Sequence, residues 1–424
     1  MAGWFWRLLG ALVLFALGAA GVSVWQFSSY APTDVPMPED KAALAWFIDA
    51  YPDARQDFLV RAEVLTRQLQ GVQAIEVEVP SATSTTDLFV DGLYIPAQSG
   101  NRRRLLVVSS GVHGVEGPTG SAVQRLFMHE FLTPERLVGP LADTGILLLH
   151  AVNPYGFAHD RRFTENNVDL NRNASVNGSL YKTVNKGYPL VDPLINPQGP
   201  ANTASLGHRL FHLRSIAMIA EHGMPALRQA VLQGQYQVPK GIYFGGQMLE
   251  PQLQALAPVV APILDEYPLS MSIDLHTGYG ERGRLHLFFD PPADPKVRKG
   301  LETAFDGQRI DWGSGDDFYT VTGDFAGWLG KLRSGGTHLP AVFEFGTMDS
   351  QKTLGSIKSL HLTVLENQGA QFGYATPADE ERIKHDYREM FYPSSPDWRI
   401  KVIHDSQAML QAVLNNWPRV GAQD

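Results

Sequence analysis

Two uninterrupted apolar runs, Leu105-Leu106-Val107-Val108 and Ile146-Leu147-Leu148-Leu149, stand on either side of a helix-like segment at 119–131. A strand with one wet face alternates apolar and polar residues, so a run without alternation is buried on both faces, as strands of a parallel sheet are. Parallel neighbours need a crossover, and the intervening helix supplies one; the chain is therefore constrained to contain a βαβ unit. Residues 74–79, 88–95, 270–275, 284–289 and 340–345 add strand character. Helical spacing runs through 40–69, broken into two helices at Pro52, and returns at 208–222, 249–264, 379–390 and 398–417. The expected fold class is α/β, a mixed, largely parallel central sheet flanked by helices.

The chain has 424 residues, 44% of them hydrophobic, enough for one large core carrying an insertion. We expect a body over 39–424, with the Asn-, Pro- and Gly-rich stretch at about 174–268 inserted around the mouth of a site. A formal charge of -9 with scattered Lys and Arg argues against a nucleic-acid partner. Cysteine is absent, which excludes disulfides, thiolate-ligated zinc and a thiol nucleophile.

The N-terminus differs from the rest. Residues 8–24 carry no charge, and such a segment of 17 residues lies at the short end of the roughly 17–25 that span a bilayer. Trp4 and Trp6 before it, and Trp25 after it, match interfacial anchors, and Arg7 marks the cytoplasmic side. Gly18-Ala19-Ala20 also resembles a signal cleavage site. Either fate of residues 1–26, transmembrane anchor or signal peptide, places the body outside the cytoplasm, tethered to the membrane or released. The anchor is the preferred expectation. Residues 27–38, rich in Ser, Pro, Thr and Asp, read as a linker.

Four segments carry chemistry. His113-Gly114-Val115-Glu116 follows the first apolar strand, and an imidazole and a carboxylate at a strand's carboxyl end can converge on one Zn²⁺. The second segment, Asn153-Pro154-Tyr155-Gly156, continues through Arg161 and Arg162 to Asp169-Leu170-Asn171-Arg172-Asn173. Its guanidinium forks match a substrate carboxylate or a developing oxyanion. Asp274-Leu275-His276 brings a second imidazole to a strand end, with Asp274 as a candidate partner for a ligand. Glu344 lies inside an apolar strand, where a carboxylate needs either a partner or a proton-transfer role.

This ordered set resembles the zinc carboxypeptidase superfamily, which includes the succinylglutamate desuccinylase and aspartoacylase branch. The resemblance covers about 105–173, 270–279 and 340–346. It implies that His113, Glu116 and His276 bind one zinc ion and that Glu344 is the general base. It implies further that Asn171 and Arg172 hold a free substrate carboxylate, while Arg162, or else Arg161, polarises the scissile carbonyl. The phenol that many members place over the substrate would be Tyr279 or Tyr319. Val115 departs from the arginine common between the first two ligands of carboxypeptidases. The short interval from Arg162 to Asn171 is closer to the desuccinylase branch.

The expected activity is zinc-dependent cleavage of an amide next to a free carboxylate, by a metallocarboxypeptidase or by an N-acyl-amino-acid amidase. Its substrate would be a peptide or an acyl-amino-acid. The sequence lacks Gly-x-Ser-x-Gly and His-Glu-x-x-His, which weakens a serine hydrolase and removes the helix-borne zinc proteases. A membrane-tethered module that binds peptides without cutting them would not need Glu344.

Overall fold

The computed structural model describes residues 2–289, 291–313 and 321–421. Eight strands form one mixed sheet: β1 (Gln73–Glu78), β2 (Phe89–Ile95), β3 (Arg104–Ser110), β4 (Thr144–His150), β5 (Leu269–Gly278), β6 (Leu285–Phe289), β7 (Ile310–Trp312) and β8 (Thr337–Gly346). Their spatial order is β1-β2-β4-β3-β5-β8-β6-β7. The central four, β4, β3, β5 and β8, are mutually parallel, and β2 and β6 run antiparallel beside them. The helices used below are α1 (Ala2–Ser28), α2 (Tyr51–Gln68), α3 (Gly117–Glu130), α4 (Tyr188–Ile195), α5 (Phe211–His222), α6 (Met224–Leu232), α7 (Pro251–Asp265), α8 (Phe325–Lys331), α9 (Thr353–Phe372), α10 (Pro377–Phe391) and α11 (Pro396–Asn416).

The apolar run of β3 divides between the two faces. Leu106 and Val108 join a core with α2, α3 and α11, while Leu105 and Val107 join a second core with α7 and α8. Both faces are covered, which is why the run shows no alternation. The helical stretch at 40–69 is divided in two as expected, a short helix at Lys41–Leu44 and then α2, with Pro52 in the first turn of α2, where its missing N–H would have no partner in any case. The long segment at 174–268 is largely helical, and α4, α5 and α6 pack with α9 in a separate apolar cluster.

Helix α1 stands clear of the body for most of its length, with Trp4 71% and Phe15 75% exposed. Its last turn does not: Phe27 is buried and stacks on His212 of α5. The expected linker is laid down rather than loose. The Tyr30 hydroxyl donates to the Met348 carbonyl, and Asp34 pairs with Arg282 and accepts from Ser395.

Candidate metal centre and active site

Three strands of the parallel core end at one place. His113 lies three residues beyond β3, and Glu116 closes the single 3₁₀ turn that follows it. His276 and Glu344 are direct neighbours across β5 and β8, so their side chains leave the same face of the sheet. The crossing of this loop with the next depends on glycine. A Cβ on Gly114 would sit 2.1 Å from the Gly156 carbonyl carbon. The absence of a side chain lets Val115 N–H donate to the Arg161 carbonyl at 2.9 Å, and Asn153 N–H donates to the Gly111 carbonyl at 2.8 Å. The loops after β3 and β4 are thereby held together by their main chains.

His113, Glu116 and His276 form the single group of three or more His, Asp or Glu side chains with metal-ligand spacing among the described residues, and all three are buried. His113 Nδ1 lies 2.8 Å from Glu116 Oε1, His276 Nδ1 lies 3.0 Å from Glu116 Oε2, and the two Nδ1 atoms are 3.1 Å apart. The outer nitrogens are engaged elsewhere: His113 Nε2 with Asp169 at 3.2 Å, and His276 Nε2 with Asp274 at 2.6 Å. If each Nε2 carries its proton toward its carboxylate, both Nδ1 lone pairs face the Glu116 oxygens. Four acceptor atoms then converge, with the Thr277 N–H on Glu116 Oε2 at 2.9 Å as an outer donor, and a cation between them would satisfy the remaining lone pairs. Bonds of about 2.0–2.1 Å to a tetrahedral Zn²⁺ require donors roughly 3.3 Å apart, close to the spacing found. The carboxylate behind each histidine orients the ring as in catalytic metal sites.

Burial disfavours charge on His276, but Asp274 and then Glu116 override it and hold the imidazole well above its ordinary range. Burial likewise opposes ionisation of Glu116, and His113 and His276 outweigh it and keep the carboxylate low. Glu344 behaves oppositely. Burial, then the Glu116 charge beside it, pushes its carboxyl up to about 8, although the Tyr279 N–H donates to Oε1 at 3.0 Å. The two carboxyl groups are thus driven apart, one to remain an anion and one to exchange protons near neutrality.

The remaining sequence candidates separate. Arg162 lines the cavity with the ligands; its Nε donates to Asp169 at 3.0 Å and its Nη1 lies 3.5 Å from Glu116. Asn171 and Arg172 also line it. The Asn171 Oδ1 accepts from Phe325 N–H, and all three Arg172 nitrogens donate to the Leu232 and Asn171 carbonyls. Arg172 keeps a second N–H on each Nη. Tyr279 lines the cavity against Phe288, and Tyr319 lies outside the described residues. Arg161, expected as a substrate contact, turns the other way: it is buried against Glu366 at 2.8 Å, with Asn167 and Asn367 around it. In an extended loop adjacent side chains diverge, so only one of the two arginines can face His113, Glu116 and His276.

Two contributors escaped the sequence reading. Asp169 joins His113 to Arg162 and caps the turn carrying Asn171 and Arg172, so one carboxylate sets the positions of a ligand and two cations. It opens the Asp-Leu-Asn-Arg-Asn motif, and that was its visible signal. Tyr243 lies 5.3 Å from the Arg162 guanidinium and 5.7 Å from that of Arg172. Its φ of 55° is costly for an aromatic residue, on the order of 1–3 kcal/mol. The glycines around it, Gly241, Gly245 and Gly246, were the only hint.

Residues 47–405 match the family described as "Protein of unknown function (DUF2817)", and the chain belongs to that family. Among solved structures it is similar to carboxypeptidase A from Helicoverpa armigera, at 12% identity, TM-score 0.39, covering 85% of this chain and 81% of that one. It is also similar to bovine thrombin-activatable fibrinolysis inhibitor in complex with tick carboxypeptidase inhibitor, at 13% identity, TM-score 0.40, covering 77% and 96%. A third is a metallo-carboxypeptidase from Pseudomonas aeruginosa, at 12% identity, TM-score 0.35, covering 75% and 68%. Comparison with curated proteins returns no match.

Proposed function

We propose that this chain is a zinc-dependent hydrolase of the metallocarboxypeptidase kind, cleaving an amide bond next to a free carboxylate. The observation that carries the reading is the convergence of two imidazole nitrogens and one carboxylate at 2.8–3.1 Å, with Glu344 beside them. A Zn²⁺ held by His113, Glu116 and His276 would supply a Lewis acid with an open coordination position.

The chain's own groups do the rest. Glu344, with its raised proton affinity, takes a proton from the attacking water and delivers it to the leaving amine. Arg162, fixed by Asp169, faces the carbonyl oxygen as it gains charge. Asn171 and the unused Nη protons of Arg172 hold the substrate carboxylate, and the Tyr279 phenol covers the substrate from the Phe288 side. The same groups serve an N-acyl-amino-acid amidase, and the apolar part of the cavity favours that substrate. Residues 39–424 act as the catalytic unit, with 174–268 as its insertion. Trp4–Ser28, long and apolar enough to cross a membrane, would anchor it with the catalytic unit outside the cytoplasm.

The test is a zinc-loaded preparation offered C-terminally free, C-terminally amidated and N-acylated substrates. The expected result is about one zinc per chain and cleavage only where a free carboxylate flanks the amide. Equal cleavage of amidated peptides removes the carboxylate from recognition; absence of bound metal at saturating zinc removes the hydrolase reading.

A further inference from the structure

The cavity at the metal ligands has a volume of about 240 Å³, and it does not end at the arginines. It continues between α4, α5, α6 and α9, where Val191, Leu194, Met218, Leu227, Val231 and Ile357 line it. Three of the hydroxyls on these walls are turned back into their own helices. Ser215 donates to Phe211, Ser359 to Gly355 and Thr363 to Ser359, each to a carbonyl of its own helix. A peptide side chain would need one small pocket; this lining is a mainly aliphatic chamber spread over four helices, with Arg228 of α6 and Ser356 of α9 as polar members, and it shares one cavity with His113, Glu116 and His276.

The chamber's outer wall is the docking site of α1. Phe27 belongs to the same apolar cluster as Val191, Leu194, Leu227, Val231 and Ile357, and Ser23 Oγ lies 2.9 Å from His212 Nε2 on α5. Met218, about a turn and a half further along α5, faces the cavity. The insertion also exposes Leu190, Leu206 and Ile216, the last on α5, which contacts a terminal helix whose own apolar side chains are bare. Helix α1 and these side chains together suit a lipid surface.

We propose that the chamber receives the aliphatic chain of an N-acylated amino acid taken from the membrane beside α1. The carboxylate would lie at the Asn171 and Arg172 end, with the amide at the metal ligands. This deepens the hydrolase reading and rests on it. One water is consumed: its oxygen bonds to the acyl carbon, the C–N bond breaks, and a proton passes through Glu344 to the amine, leaving a fatty acid and a free amino acid.

The experiment uses the full chain in phosphatidylcholine nanodiscs with zinc, and a series of N-acetyl-, N-hexanoyl-, N-decanoyl- and N-tetradecanoyl-leucine, with Gly-Gly-Leu as the peptide comparator. Turnover is measured alongside calorimetric binding to the zinc-free protein. Burial of each methylene is expected to raise both affinity and kcat/KM, by up to about fourfold per methylene until the chamber is filled. Val231→Trp, which fills the chamber, should lower binding of the decanoyl compound at least tenfold. Its metal content reports whether it has folded, and the wild-type series stands as a test without it. A flat series in both measurements, or preference for Gly-Gly-Leu over the decanoyl compound, overturns the chamber assignment and leaves the hydrolase standing. Binding that climbs with chain length while no compound is cut upholds the chamber and overturns the hydrolase.

Discussion

At the scale of single residues, the site is a set of charges held in opposition. Glu116 and Glu344 are buried in one cavity; the histidines stabilise the first as an anion, while burial and then the Glu116 charge raise the second. Glu344→Gln should therefore retain zinc and lose roughly 10²–10⁴-fold in kcat, the usual weight of a general acid–base group. Full activity in that variant would assign proton transfer elsewhere. His113→Ala should lose metal outright, read by elemental analysis. Asp169→Asn tests the joint between ligand and arginine. It should weaken zinc about 10–100-fold and lower kcat as well, since Arg162 loses its tether; unchanged zinc affinity would reduce Asp169 to a cap. Arg161, adjacent to Arg162 in sequence, belongs to a structural ion pair with Glu366. No property of the sequence alone distinguishes the two guanidiniums.

At the scale of elements, the decisive feature is the crossing of two loops. Gly114 packs on Gly156 with no space for even a methyl group, and the flanking main-chain bonds fix where His113 and Glu116 begin. Gly114→Ala should destabilise the fold by roughly 1–3 kcal/mol, as overpacking does, and displace both ligands. Chemical denaturation and zinc titration check the two effects. A variant with wild-type stability would mean that the loops can separate without consequence. The strands were legible because burial on both faces leaves an unbroken apolar run. Helix α9 was not singled out from sequence, because it is polar and apolar by turns and most of its middle is buried among other helices, including polar Glu366, Asn367 and Gln368.

For the whole molecule, a buried histidine outside the site sets an acid limit. His150, fully buried at the end of β4 and stacked on Phe58, has its pKa lowered to about 3 by burial, then by Arg125 and Arg55. The unfolded chain thus takes up a proton that the folded chain refuses. Its contribution is complete above the unfolded value of about 6.5 and is lost as pH falls toward 3, at about 1.4 kcal/mol per pH unit. Urea midpoints should fall between pH 7 and pH 4, with His338 and His361, also lowered by burial, adding to the slope, and His150→Asn should remove the His150 share even if it lowers stability at pH 7. A variant slope equal to wild type would place the acid sensitivity in other groups.

The types of donor, their order and their positions at strand ends were determined by the sequence, because alternation, strand termination and ligand chemistry are properties of neighbours along the chain. His113, Glu116, His276 and Glu344 could be named on that basis. Tertiary structure alone decided that Arg162 and not Arg161 faces the ligands, that Asp169 joins a histidine to that arginine, and that Tyr243 lies against two guanidiniums. It also decided that helices from the insertion and from α9 enclose an apolar chamber. These outcomes depend on which face of a loop meets which distant helix. Packing between remote segments fixes that choice, and it leaves no period in the sequence.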